Sequence, residues 1–136
     1  MDDQTLFSRA LAARSRAYTP YSHFAVGAAL LCTDGTVYTG CNIENAAFTP
    51  TVCAERVAFF KAVADGRRHF TAIAVAGAPA GEEPEKPCAP CGVCRQVMAE
   101  FCRPDAFRVL LGTSPEDIRA YPLSELLPLA FSGEML

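Results

Sequence analysis

Residues recur at helical spacing near the start of the chain: Phe7, Ala10 and Leu11, continued by Arg14 and Tyr18, stand three to four apart behind two aspartates. That spacing predicts an amphipathic helix over residues 3–18, with its acids at the favourable N-terminal end. Tyr18-Thr-Pro-Tyr-Ser22 breaks it. Two β-type runs follow, FAVGAALLCT (24–33) and TVYTGCN (36–42), and Asp34-Gly35 between them is a strong hairpin signal. Residues 43–52, which follow Asn42 and hold Asn45 and Pro50, are expected to form a loop.

From about Thr51 the run CAERVAFFKAVADG predicts a buried helix, with Val57, Phe60 and Ala64 on its apolar side, Lys61 opposite and Gly66 as terminator. FTAIAVAGA (70–78) is almost unbroken apolar sequence, as expected of a strand covered on both faces. AGEEPEKP makes an exposed acidic loop. A further helix is predicted from Cys91 to about Cys102, a buried strand over FRVLLG (107–112), and a short terminal helix over SELLPLAF (124–131). Strands alternating with helices imply a layered α/β domain with a mixed sheet. At 136 residues, the chain is expected to form one domain, 1–136.

Composition narrows the partner. The chain is 51% hydrophobic and 20% charged, with net charge −3 and no basic block, so a polynucleotide partner is not expected. No run of 18 apolar residues is present, which argues against a membrane-spanning helix. The acidic, arginine-bearing start does not resemble a secretory signal, so a cytoplasmic location is expected. A small molecule is the expected ligand. Seven cysteines, an odd count, then suggest reduced thiols or metal ligands rather than a disulfide scaffold.

Three of those cysteines crowd into KPCAPCGVCRQ (86–96) as two overlapping Cys-x-x-Cys units, Cys88/Cys91 and Cys91/Cys94. Cys-x-x-Cys at a helix start suits zinc, because two thiolates one turn apart can converge on one ion. A structural site requires four protein ligands, whereas a catalytic one has three and an open position. Cys53 offers itself as the third, with Glu55 two residues on and Arg56 following. Two helix N-termini would offset the surplus negative charge of three thiolates. Arg56 and Arg95, each close behind a cysteine, are expected to donate hydrogen bonds to the sulfurs. Cys32, Cys41 and Cys102 sit in apolar contexts and are expected to be small buried hydrophobes. His23 and His69 flank no motif and are expected to be solvent-facing or structural.

Cys53-Ala-Glu55 with Pro90-Cys-Gly-Val-Cys-Arg-Gln96 resembles the small, homo-oligomeric cytidine deaminases of pyrimidine salvage. The resemblance extends through Tyr21-Ser-x-Phe24, Val26-Gly-Ala28, Gly40-Cys-Asn-Ile-Glu-Asn-Ala46, Phe60-Lys-Ala62 and Glu125-Leu-Leu-Pro-x-Ala-Phe131. It implies a three-layer α/β/α fold with a mixed, roughly five-stranded sheet, and one Zn2+ per subunit on Cys53, Cys91 and Cys94, leaving Cys88 spare. It also implies a homotetramer with active sites at subunit interfaces.

The implied reaction is hydrolytic deamination of cytidine and 2'-deoxycytidine to the uridines, with release of ammonia. Zinc would acidify its water, and Glu55 would take that proton to N3 of the base and then to the departing ammonia. Asn42 and Glu44 would grip the ribose 3'-hydroxyl, the backbone at Ala54 would contact the base, and Phe24 and a neighbouring subunit's Phe131 would pack on the ring. Phe48 stands where many relatives place tyrosine and is given no role.

Other readings differ in class. An iron–sulfur run beginning at Cys88 would require cysteine at position 98, where Met98 stands. A structural zinc or redox module would leave Glu55, Asn42 and Glu44 without a purpose. A blasticidin-S-type deaminase shares the zinc motif and is the nearest alternative in substrate.

Overall fold

The computed structural model describes all residues, 1–136. α1 (Asp3–Ala13) begins where the Asp2 carboxylate accepts the Thr5 N–H at 2.7 Å, satisfying a donor the first turn leaves free. It stops short of the predicted end and passes into a 3-10 turn, Arg14–Arg16. Arg14 nonetheless lies on the sheet-facing side. Its guanidinium donates to the carbonyls of Ala25 (2.8 Å), Ala78 (3.1 Å) and Pro79 (3.2 Å), tying the helix to two strands.

Five strands follow in sheet order β2-β1-β3-β4-β5: β1 (Phe24–Cys32), β2 (Val37–Cys41), β3 (Phe70–Pro79), β4 (Arg108–Ser114) and β5 (Asp117–Pro122). Only β3 and β4 run parallel; the other neighbours are antiparallel, so the sheet is mixed as expected. The Asp34-Gly35 hairpin forms with Gly35 at φ 91°, its N–H donating to Cys32 O at 3.0 Å. β5 is a strand that the hydrophobic pattern did not reveal. It lies at the edge with largely exposed side chains, and an edge strand carrying charges lacks the apolar run that marks a covered one.

The helices lie on both faces of the sheet, giving three layers. α1 covers one face through Leu6, Phe7 and Ala10, packed on Ala29, Ala72, Ala74, Ala76 and Leu110. α2 (Ala54–Ala64) and α3 (Gly92–Phe101) cover the other, where Phe59, Met98 and Phe107 meet Leu30, Ile73, Val75 and Val109. Alternate residues of β3 therefore point in opposite directions, and FTAIAVAGA reads apolar throughout because both directions are covered.

Two expectations are corrected. α2 buries Ala54, Glu55, Ala58, Phe59 and Ala62 rather than Val57, Phe60 and Ala64; Phe60 is 49% exposed. The helix is apolar almost all round, so its periodicity does not pick out the buried side. The terminal helix over 124–131 reduces to α4 (Leu123–Leu126). Pro128 cannot supply a helical N–H, and Leu129 takes φ 53°, outside the helical range. Of the remaining cysteines, Cys32 and Cys102 are buried as expected and Cys41 is half-buried; His23 and His69 are exposed.

Candidate metal centre and substrate site

Cys53 and Cys91 are the residues immediately before α2 and α3, and Cys94 lies in the first turn of α3. The two helix starts bring the three sulfurs within 4.8 Å of one another, with Cys53 and Cys91 Sγ 3.7 Å apart. Four ligands at tetrahedral corners, about 2.3 Å from zinc, lie roughly 3.8 Å from each other. The cluster therefore fits a zinc ion with three thiolates, and its soft sulfur donors match that metal. Cys88 is not in the cluster. Its sulfur lies against Gly77 where a Cβ would sit only 2.7 Å away, beside the edge of the Phe24 ring. Burial pushes the Cys88 thiol up to about 11.

Gly40 lets α2 come this close to the sheet. A Cβ there would sit 2.3 Å from the Ala54 carbonyl oxygen and 2.7 Å from the Ala58 nitrogen. Both ligand helices start without a side-chain cap, so first-turn N–H groups, that of Ala54 included, have no intrahelical acceptor and carry partial positive charge toward the sulfurs. Arg56 Nη2 donates to Cys53 Sγ at 3.4 Å. Hydrogen bonds from the Cys94 thiol and from Arg56 draw Cys53 down to about 5, and the same Cys94–Cys53 bond together with burial pushes Cys94 up.

Arg95, expected to do the same as Arg56, does not reach a sulfur. Its Nε donates to Pro90 O at 2.7 Å and its Nη1 to Leu126 O at 2.6 Å. It sits on the part of α3 that faces α4, so the guanidinium joins the entry of the ligand helix to the end of α4.

Glu55, second residue of α2, is 4% exposed and is the one charged side chain buried in the core. Burial, reinforced by the charge of Cys53, raises its carboxyl to about 7 against opposing hydrogen bonds from its own N–H and from Cys94. It has no salt-bridge partner. A buried acid without a counter-ion beside a thiol cluster is a group poised to hold or release a proton near neutrality.

Asn42 and Glu44, expected on the substrate side, are committed to the backbone in ways the sequence did not show. Asn42 Oδ1 accepts the Val26 N–H at 2.9 Å and its Nδ2 donates to Phe24 O at 2.8 Å, so the amide spans the β1 backbone from Phe24 to Val26 and retains one free N–H. Glu44 accepts the N–H groups of Tyr21 (2.9 Å) and Ser22 (3.1 Å) on one oxygen and the Ser22 hydroxyl on the other. The Ser22 hydroxyl is the largest influence holding the Glu44 carboxyl below its usual range. No sequence pattern marks Ser22 for this role, although it lies within the Tyr21-Ser-x-Phe24 segment. Tyr21, Ser22, Glu44 and Phe48 line a depression of about 400 Å3. Phe24 is half-buried, and Phe131 is 60% exposed with its carbonyl accepting Gln96 Nε2 at 2.8 Å.

With this geometry established, comparison with known proteins identifies its family. The family model described as "Cytidine and deoxycytidylate deaminase zinc-binding region" matches residues 1–110. Over 136 residues the chain is 52% identical to a cytidine deaminase of Sporosarcina psychrophila, covering 100% of this chain and 96% of that protein. A cytidine deaminase of Halalkalibacterium halodurans is 52% identical over 134 residues, covering 98% and 97%. The crystal structure of cytidine deaminase from Burkholderia pseudomallei superimposes with a TM-score of 0.87 at 48% identity, covering 96% of this chain and 100% of that one. The chain belongs to the cytidine and deoxycytidylate deaminase zinc-binding family.

Proposed function

We propose that this protein hydrolyses cytidine and 2'-deoxycytidine to uridine and 2'-deoxyuridine, releasing ammonia. The observation that carries the reading is the convergence of three sulfurs at two helix starts with a buried carboxyl that has no salt-bridge partner, two residues beyond a ligand on the helix that ligand precedes. Identity of 52% along the whole chain to cytidine deaminases supports the same substrate. Cys53, Cys91 and Cys94 would hold zinc. The chemistry zinc supplies when bound is Lewis acidity, which makes water nucleophilic near neutral pH.

Glu55 accepts the proton of the attacking water and delivers it to N3 of the cytosine. The same carboxyl then moves the proton of the new C4 hydroxyl to the amino group, so that the C4–N bond breaks, ammonia leaves and the carbonyl of uracil forms. Burial suits it to both steps, because it holds the proton affinity near that of neutral solution. Arg56 steadies the Cys53 sulfur and offsets negative charge there. The free N–H of Asn42 and the remaining lone pairs of Glu44 face the ribose 3'-hydroxyl, and their backbone bonds hold both at fixed positions beforehand. The unpaired N–H of Ala54 contacts the base carbonyl. Phe24 packs on one side of the ring.

The exposed apolar side chains Phe48, Phe60, Leu129 and Phe131 support assembly into a homotetramer in which Phe131 reaches a neighbour's site. We read residues 1–136 as one deaminase unit, since β5, beyond the matched 110 residues, extends the same sheet. No helix is long and apolar enough to cross a membrane, and we place the enzyme in the cytoplasm. The test is incubation of the zinc-loaded protein with cytidine, followed by chromatography and an ammonia assay. Uridine and ammonia in equal amounts support the reading; unchanged cytidine refutes it.

A further inference from the structure

The two side chains that directly follow Cys94 act on a different part of the molecule. Arg95 Nη1 holds Leu126 O at 2.6 Å and Gln96 Nε2 holds Phe131 O at 2.8 Å. Between these anchors runs an arm, residues 127–130, with no regular element and with Leu129 at φ 53°. The arm overhangs a cavity of about 720 Å3 bounded by Phe101, Arg103, Leu127, Pro128 and Met135. Leu129 is fully exposed and Phe131 largely so. The bonds to the Leu126 and Phe131 carbonyls fix the chain at both ends of the arm while leaving the Phe131 ring unencumbered.

We propose that Arg95 and Gln96 are positioning residues that lock the 127–131 arm to the metal-ligand helix, so that Phe131 is presented, already ordered, to a second copy of the chain. The proposal rests on the deaminase reading above, in which Phe131 closes a neighbouring substrate site. Both donors stand on the turn of α3 that carries Cys94, so the arm and the sulfur cluster share one rigid reference. Ordering the arm during folding removes that entropy loss from substrate binding. Releasing it therefore raises KM while leaving kcat and zinc in place.

The experiment measures cytidine kinetics, bound zinc and melting temperature for Gln96→Ala, Gln96→Glu, Phe131→Ala and the Gln96→Ala/Phe131→Ala pair. Gln96→Ala is expected to raise KM about threefold to tenfold, the size of ordering one side chain, with kcat within about twofold and zinc unchanged. Gln96→Glu keeps the length, removes the donor and behaves alike. Phe131→Ala raises KM further, and the pair is no worse than Phe131→Ala alone, because the lock then has nothing to position. A purely structural Gln96 would lower the melting temperature and multiply with Phe131→Ala instead. That result, an unchanged KM in Gln96→Ala, or loss of zinc overturns the proposal. Phe131→Ala with wild-type KM overturns it too, yet leaves the deaminase reading standing. A wild-type protein that makes no uridine removes that reading and the proposal together.

Discussion

On the face covered by α1, the sheet presents Ala29, Ala72, Ala74, Ala76 and Leu110; on the opposite face the neighbouring positions are Ala28, Leu30, Ile73, Val75, Val109 and Leu111. The first set is small and lets one helix lie close, with no buried ionisable group among the contacts. The second meets two helices whose N-termini carry the sulfurs, and the core there includes Glu55. Strand alternation separates the two functions within the same strands. One face can be repacked without touching chemistry, whereas on the other an apolar core surrounds a charge that stability alone would exclude.

The largest effect expected from breaking this contrast is on turnover. Glu55→Gln should reduce kcat by about 10²–10⁴-fold, the usual contribution of a general acid–base group, while zinc content and melting temperature stay at or above wild type. On the α1 face, Phe7→Ala should lower stability by about 3–5 kcal/mol, read by urea titration, with kcat unchanged at temperatures where the variant is folded. A smaller effect joins packing to substrate on the site face. Gly77→Ala forces a methyl to within 2.7 Å of Cys88 Sγ and 3.0 Å of the Phe24 ring, a strain of about 1–3 kcal/mol. Displacement of Phe24 should raise KM for cytidine, and adding Cys88→Gly should recover part of it.

The smallest effect returns to the α1 face. Arg108 donates to both oxygens of Asp3, at 3.0 and 2.6 Å, and holds that carboxyl below its ordinary 3.8. Because the folded-state pKa is the lower one, the pair's stabilisation is present above the unfolded value and is lost as pH falls through the folded value. With both side chains over 40% exposed, Arg108→Ala should cost no more than about 1 kcal/mol at neutral pH. The gap in melting temperature between variant and wild type should close as pH drops below 3.8.

Legibility in the sequence followed burial and locality. Cys91-x-x-Cys94 and Cys53-Ala-Glu55 specify helix starts by spacing alone, and the hairpin follows from Asp34-Gly35, so these features are written in a few adjacent residues. The length of α1, the buried side of α2 and the extent of α4 are not, for separate reasons. The helical spacing of α1 continues past Ala13 into the 3-10 turn, the surface of α2 is apolar nearly all round, and Pro128 with Leu129 ends a run that composition would extend. β5 was invisible because an exposed edge strand looks like a loop. The reach of Arg95 depends on where a carbonyl 31 residues away comes to rest, which no local pattern encodes. Asn42 and Glu44 were legible as polar groups, but their bonds to the Phe24–Val26 backbone and to the Tyr21-Ser22 turn emerge only when β1, β2 and the loop are assembled.

Whether three sulfurs and a solvent corner surround the metal is decided by zinc-edge X-ray absorption of the purified, zinc-loaded protein, because the spectrum counts the atoms around the ion. Three sulfurs at about 2.3 Å and one lighter oxygen or nitrogen scatterer at about 2.0 Å are predicted. Four sulfurs, with Cys88 filling the corner that solvent should occupy, would contradict the three-cysteine site and the hydrolytic chemistry built on it.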